Sequence, residues 1–92
     1  MRIVGHIEHP EMKITLFKMD NKYSIKFERG LFEQTYKFRE GNVIQSIGDI
    51  RSLVDMSFLD SVQKILKEME KTSQGALNKL QTDINSEFDE II

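Results

Sequence analysis

KYSIKFERGLFEQTYKF, residues 22–38, decides the fold. Its first seven residues alternate strictly, with Tyr23, Ile25 and Phe27 on one side and Lys22, Ser24, Lys26 and Glu28 on the other. A period of two marks a strand with one buried face, because successive side chains of an extended chain point in opposite directions. After Arg29-Gly30 the alternation resumes, with Phe32, Tyr36 and Phe38 on one face and Gln34 as its polar member. Glycine supplies the positive φ that a two-residue hairpin loop demands. Taking Arg29-Gly30 as that loop pairs Glu28 with Leu31, Phe27 with Phe32, Ile25 with Gln34 and Tyr23 with Tyr36. The apolar faces of the two strands then coincide.

Upstream, Met12, Ile14 and Leu16 share a face, and Asp20-Asn21 is a second candidate two-residue loop, since both residue types tolerate positive φ. It pairs Met19 with Lys22, Leu16 with Ile25 and Ile14 with Phe27. A slip of one residue would turn every side chain to the wrong face, so the agreement of the two loops is a real constraint. At the start, Ile3 and Ile7 alternate with Arg2, His6 and Glu8. The turn His9-Pro10-Glu11-Met12 carries proline at its favoured second position and sets Ile7 opposite either Ile14 or Met12. Residues 2–39 therefore read as a four-stranded antiparallel β-meander. Its second face is polar, interrupted by Val4, Phe17, Met19 and Leu31.

Residues 40–48 read as a connection, with Val43, Ile44 and Ile47 against the core and room for a short fifth strand at 42–47. Residues 49–90 read as a helical segment. Asp49 is the expected N-cap of a short helix carrying Ile50, Leu53 and Val54 inward. Ser57 is the expected cap of the next, with Asp60 as its capping-box partner. From there Phe58, Leu59, Val62, Ile65, Leu66, Met69, Ala76, Leu77, Leu80, Ile84 and Phe88 recur at three- and four-residue steps, with Ser73 filling one step. That is one amphipathic stripe. An eleven-residue period also runs through it, which keeps the stripe nearly straight and argues against a left-handed heptad coil. The fold class is thus α+β: the meander, a short helix and a long amphipathic C-terminal helix.

Length raises a problem. Residues 58–88 as one helix span about 46 Å at 1.5 Å per residue, whereas an eight-residue strand spans only about 27 Å. Either the helix overhangs the sheet and packs on a second copy, or it doubles back at Thr72-Ser73-Gln74-Gly75. No turn dipeptide interrupts the segment, which favours a homodimer with Leu66, Met69, Ser73, Ala76, Leu77, Leu80 and Ile84 at the interface.

Composition narrows the function classes. A chain of 92 residues fits one domain and buries only roughly 60–65% of its unfolded surface. Cysteine is absent, so neither disulfides nor thiolate zinc sites form, and a reducing cytoplasm is the expected setting. The first residues lack a signal-peptide core, and no apolar run nears the ~18–20 residues that span a membrane. Net charge is −2. Residues 1–48 hold eight Lys/Arg against six Asp/Glu and residues 49–92 five against nine, ending in the acidic Glu87, Asp89 and Glu90.

No catalytic or cofactor signature emerges. His6 and Glu8 share a strand face while His9 points away, too few converging ligands for a metal site. Neither glycine-rich phosphate motif occurs. On the polar sheet face, Lys13, Lys26, Lys37 and Arg39 lie near Phe17, the mixture of cations and an aromatic that holds single-stranded nucleic acid. The order β-β-β-β-α over residues 2–70, with dimerisation through the helix, is similar to that of the single-stranded-DNA-binding folds of the Whirly and Pur-repeat type. The similarity is one of element order and carries no residue motif. The leading expectation is a non-enzymatic interaction or scaffold protein without cofactor, self-associating through its long helix or meeting another protein. The alternatives are single-stranded nucleic acid on the sheet face, or a small ligand between sheet and helix near Gln34.

Overall fold

Two tight turns organise the sheet. Asp20 has φ 54° and Gly30 φ 62°, and each is the first central residue of a two-residue loop. The computed structural model describes residues 1–91, and the side chains of residues 1–81. Strands β1 (Arg2–Ile7), β2 (Lys13–Met19), β3 (Lys22–Arg29) and β4 (Phe32–Arg39) form one antiparallel sheet in sequence order. A short helix α1 (Ile47–Leu53) and a long helix α2 (Met56–Ile91) follow, so the α+β meander-plus-helices arrangement stands.

The Asp20-Asn21 loop gives the expected register, Met19 opposite Lys22, Leu16 opposite Ile25 and Ile14 opposite Phe27. The β1–β2 turn sets Ile7 opposite Ile14, which settles the choice left open by the proline turn. The third hairpin departs from expectation by two residues. Its loop is Gly30-Leu31 rather than Arg29-Gly30, so Arg29 meets Phe32, Phe27 meets Gln34, Ile25 meets Tyr36 and Tyr23 meets Phe38. A two-residue shift preserves the faces, so the apolar pattern alone could not choose. What chooses is the place of glycine: it takes the positive-φ first central position, and Leu31 is left 98% exposed at the loop tip.

A bulge between Ile3 and Gly5 overturns the expected facing at the start of β1, whereas Ile7 faces the core as expected. One extra residue inverts the alternation beyond it. Val4, expected on the polar face, packs against the core. Ile3, expected in the core, lies opposite Phe17 on the outer face and is 58% exposed. The connection also differs. Residues 42–46 form no fifth strand, Ile44 is buried, and Val43 is exposed to solvent.

Helix caps shift to acidic and hydroxyl residues just upstream of those expected. Ser46, not Asp49, caps α1: its Oγ accepts from the Asp49 amide at 3.4 Å, and Asp49 Oδ2 accepts from the Ser46 amide at 3.2 Å. Asp55, not Ser57, caps α2: its Oδ1 accepts from the Phe58 amide at 2.9 Å and its carbonyl from the Leu59 amide at 3.0 Å. Asp60 lies inside the helix. A carboxylate at the N-terminus satisfies orphan amides and complements the helix dipole.

Both helices cover one face of the sheet. The core joins Met12, Ile14, Leu16, Tyr23, Ile25 and Phe27 to Ile44, Ile50, Val62 and Leu66. Phe58 sits 5.5 Å from the Phe27 ring and edge-on to Tyr36 at 5.2 Å, which anchors the start of α2 over β3 and β4. α1 is fixed at the β1 side. Arg51 Nη1 donates to the His6 carbonyl at 3.1 Å, and a methyl added at Gly5 would stand 2.5 Å from Arg51 Nη2. Glycine at the bulge thus lets the guanidinium lie against the strand.

α2 runs through Gly75 unbroken and does not double back. The molecule measures 65 × 27 × 20 Å, with a radius of gyration of 18.9 Å. A compact domain of this length would have a radius near 12 Å, so the helix projects far past the sheet.

Candidate interaction surfaces

Three surfaces follow from this arrangement. The first is the distal part of α2. Phe58, Leu59, Val62, Leu66 and Met69 pack on the core, and Glu70 Oε1 receives the Arg29 guanidinium at 2.9 Å. Arg29 stands at the loop end of β3, so this ion pair marks where the sheet stops beneath the helix. Farther along, Ala76 is exposed, Leu77 is 53% exposed and Leu80 58% exposed. At about 100° per residue, Leu77 and Leu80 fall within some 40° of Leu66 around the helix. They prolong the line that is buried over the sheet.

The expected interface set therefore divides. Leu66 is fully buried on its own sheet and Met69 packs partly against it. Ser73 is half-buried, whereas Ala76, Leu77 and Leu80 are open. The side chain of Ile84, with those of Phe88 and the acidic residues Glu87, Asp89 and Glu90, lies outside the described residues. Gly75 is nine residues from Leu66, two and a half turns away, and so lies on the opposite side of the helix. It stands apart from that line, and an added methyl there meets nothing within 4 Å.

The second surface is the outer face of the sheet. Lys13 and Phe17 on β2, Lys26 on β3, and Lys37 and Arg39 on β4 all project there, as the strand registers require. Lys26 is engaged by two carboxylates, Glu33 at 3.3 Å and Glu28 at 3.8 Å. Phe17 is half-buried between Ile3 and Ser24. A cleft of about 230 Å³ is lined by Met1, Phe17, Ser24, Lys26, Glu33, Thr35 and Lys37. The bland part of this face is its centre, where Thr15 is buried beneath its neighbours His6 and Lys26.

The third is an open cleft of about 430 Å³ where α2 crosses β4, lined by Tyr36, Leu53, Asp55, Ser57, Phe58, Ser61 and Val62. Gln34 does not open into it as a free polar group. Its Nε2 donates to the Val62 carbonyl at 2.9 Å and its Oε1 accepts from the Tyr36 hydroxyl at 2.6 Å, so the amide is spent joining β4 to α2.

His9 turns into its own loop, where Nδ1 accepts from the Glu11 amide at 3.1 Å. Among the described residues no three His or acidic side chains gather as metal ligands, and no helix is long and apolar enough to cross a membrane. At the far end of the sheet, Lys18 lies 5.0 Å over the Tyr23 ring and 3.6 Å from Glu40. Tyr23 first, and then the Glu40 carboxylate, hold the Lys18 ammonium above its ordinary pKa.

Sequence reasoning missed the polar ties between helices and sheet: Arg51 on β1, Arg29 with Glu70, and Gln63 Nε2 donating to Glu11 Oε2 at 2.9 Å. A signal existed for one of them. Arg29 has the same parity as Tyr23, Ile25 and Phe27 and so had to point to the helix side. No protein-family model matches the chain, and no curated protein or solved structure matches it significantly.

Proposed function

We propose that this chain is an interaction module that pairs with a second copy of itself through the distal part of α2. The observation that carries the reading is the continuation of the buried line Val62–Leu66 into exposed Leu77 and Leu80. The pattern there fits its own antiparallel image. Pairing Ser73 with Leu80 of the second copy also pairs Ala76 with Leu77, so each large side chain meets a small one. Such alternation lets two helices close without voids.

Magnitudes decide how strong the contact is. Fully burying a leucine is worth about 1.5–3 kcal/mol, so finishing the burial of four half-exposed leucines contributes roughly 3–6 kcal/mol. Association costs at least about 4 kcal/mol in lost freedom. The leucines therefore little more than offset that cost, and flanking contacts by Met69, Ser73 and Ala76 set the affinity. The contact depends on both leucines. Light scattering of Leu77→Glu/Leu80→Glu beside the wild type tests it. The variant runs as a smaller species, and an unchanged mass removes the proposal.

A second reading has one observation in its favour: Phe17, Lys26 and Lys37 border the same outer-face cleft. It takes single-stranded nucleic acid as partner, held by cations and one stacking ring. It predicts oligonucleotide binding that weakens steeply with salt, and further with Phe17→Ala or Lys26→Glu. No binding at low salt eliminates it. The open cleft beside Tyr36 and Phe58 supports a small-ligand reading only weakly, and a thermal-shift screen addresses it, since a tight ligand raises the melting temperature.

A further inference from the structure

β4 stands at the edge of the sheet, with β3 as its only strand neighbour among the described residues. The Glu40 amide donates to the Asn21 carbonyl at 2.7 Å, continuing the β3–β4 register. The even-numbered residues of β4 thus turn their backbone groups to β3. Directions alternate along an antiparallel strand, so Glu33, Thr35, Lys37 and Arg39 turn theirs outward. Among the described residues no backbone–backbone hydrogen bond outside the sheet reaches them. The other edge, β1, is interrupted by its bulge, a common way to blunt an edge. β4 has no such protection: it runs eight residues in unbroken register, without proline.

We propose that β4 pairs antiparallel with β4 of a second copy, centred on Thr35, doubling the sheet to eight strands. Parity, charge and the aromatic and threonine pairs together choose the register. Thr35 opposite Thr35 brings outward-turned groups to outward-turned groups. It sets Glu33 opposite Lys37 on the outer face, twice by symmetry. On the helix face it sets Phe32 opposite Phe38 and Gln34 opposite Tyr36. Opposite charges, paired threonines and paired aromatics are each favourable across strands. Neighbouring registers do worse. Centring on Tyr36 also pairs opposite charges, Glu33 with Arg39, but leaves Lys37 against Thr35 and sets Phe38 against Gln34, while centring on Gln34 sets Glu33 against Thr35 and pairs no opposite charges.

The occupant is a second copy because the complementarity is with the strand itself. Edge charges of one sign would repel their own image; here they attract it. Lys37 has no ion-pair partner within its chain among the described residues, and Glu33 shares Lys26 at 3.3 Å. The cleft between Tyr36, Phe58 and Ser61 leaves room beside the strand for the partner's side chains. This surface is separate from the distal helix, and a chain that uses two isologous surfaces assembles beyond a dimer.

Sedimentation of the full chain tests the pairing apart from the helix contact, starting from Leu77→Glu/Leu80→Glu. That variant is expected to remain a dimer. Adding Lys37→Glu, or separately Glu33→Lys, weakens it roughly tenfold or more, because two cross-strand pairs change sign. A one-to-one mixture of those two variants restores the dimer, since positions 33 and 37 are then acidic on one edge and basic on the other. Thr35→Pro, which removes only an outward amide and keeps the β3 ladder, gives monomer with unchanged circular dichroism. A monomeric Leu77→Glu/Leu80→Glu chain, or a mixture no heavier than its components, overturns the proposal. If the helix reading alone fails, wild type and Leu77→Glu/Leu80→Glu have equal mass while the charge swap still reports on the edge.

Discussion

Replacing Gln34 by leucine tests whether a single amide ties the sheet to the long helix. The amide donates to the Val62 carbonyl at 2.9 Å and accepts from the Tyr36 hydroxyl at 2.6 Å. The Val62 carbonyl keeps its own helical partner, so its loss is small. The Tyr36 hydroxyl loses its acceptor beside Phe58. Leaving a buried polar group unsatisfied costs about 1–3 kcal/mol, and the partial burial of this pair places Gln34→Leu at about 1–2 kcal/mol. Tyr36→Phe removes the hydroxyl instead, at about 0.5–1.5 kcal/mol. With both changes no polar group is stranded, so the double variant loses about 1 kcal/mol less than the sum of the two. Urea unfolding of the four proteins measures this coupling. On a chain of this size 1 kcal/mol corresponds to roughly 4–8 °C in Tm, large enough to read. Strict additivity within about 0.3 kcal/mol would show that the Gln34 amide and the Tyr36 hydroxyl are not coupled.

Gly75→Ala is expected to raise helix content and add up to about 1 kcal/mol of local helix stability, and to leave self-association unchanged, since Gly75 faces away from Leu77 and Leu80; a loss of association measured by light scattering would place it at the contact. Asp55→Ala removes the α2 cap and costs about 1 kcal/mol by denaturant unfolding, while Ser57→Ala, inside the helix, costs little. Lys18 has a raised pKa, so its interaction with Tyr23 and Glu40 is fully present at neutral pH and declines only as pH climbs above about 10.5. Lys18→Met therefore differs from the wild type at neutral pH and converges with it in alkaline melts.

The sequence made the sheet legible wherever two constraints met. At Asp20-Asn21 the loop and the alternation agree on one register, and the structure has it. At Gly30 the alternation accepts two registers, two residues apart, and the phase of glycine within the loop was the deciding fact. At Ile3 the alternation misleads, because a bulge inverts it, and Arg51, which donates to the His6 carbonyl beside that bulge, comes from 45 residues away in the chain. Long-range polar ties of that kind leave no periodic mark. The caps moved for a local reason: Ser46 and Asp55 each accept from the amide three residues on, Asp49 and Phe58, and such a contact leaves no mark on the apolar periodicity. The candidate surfaces were legible in part. The stripe from Phe58 to Leu80 named the right side of α2, but burial divided it, claiming Leu66 for the core and leaving Leu77 and Leu80 open.

The sedimentation mass of the full chain at micromolar concentration, beside that of Leu77→Glu/Leu80→Glu, decides whether distal α2 joins two copies. Both leucines are more than half exposed in the single chain, so their replacement leaves the fold intact. The variant is expected to be the lighter species at matched concentration, with equal helix content by circular dichroism. Equal masses for the two proteins would contradict that expectation.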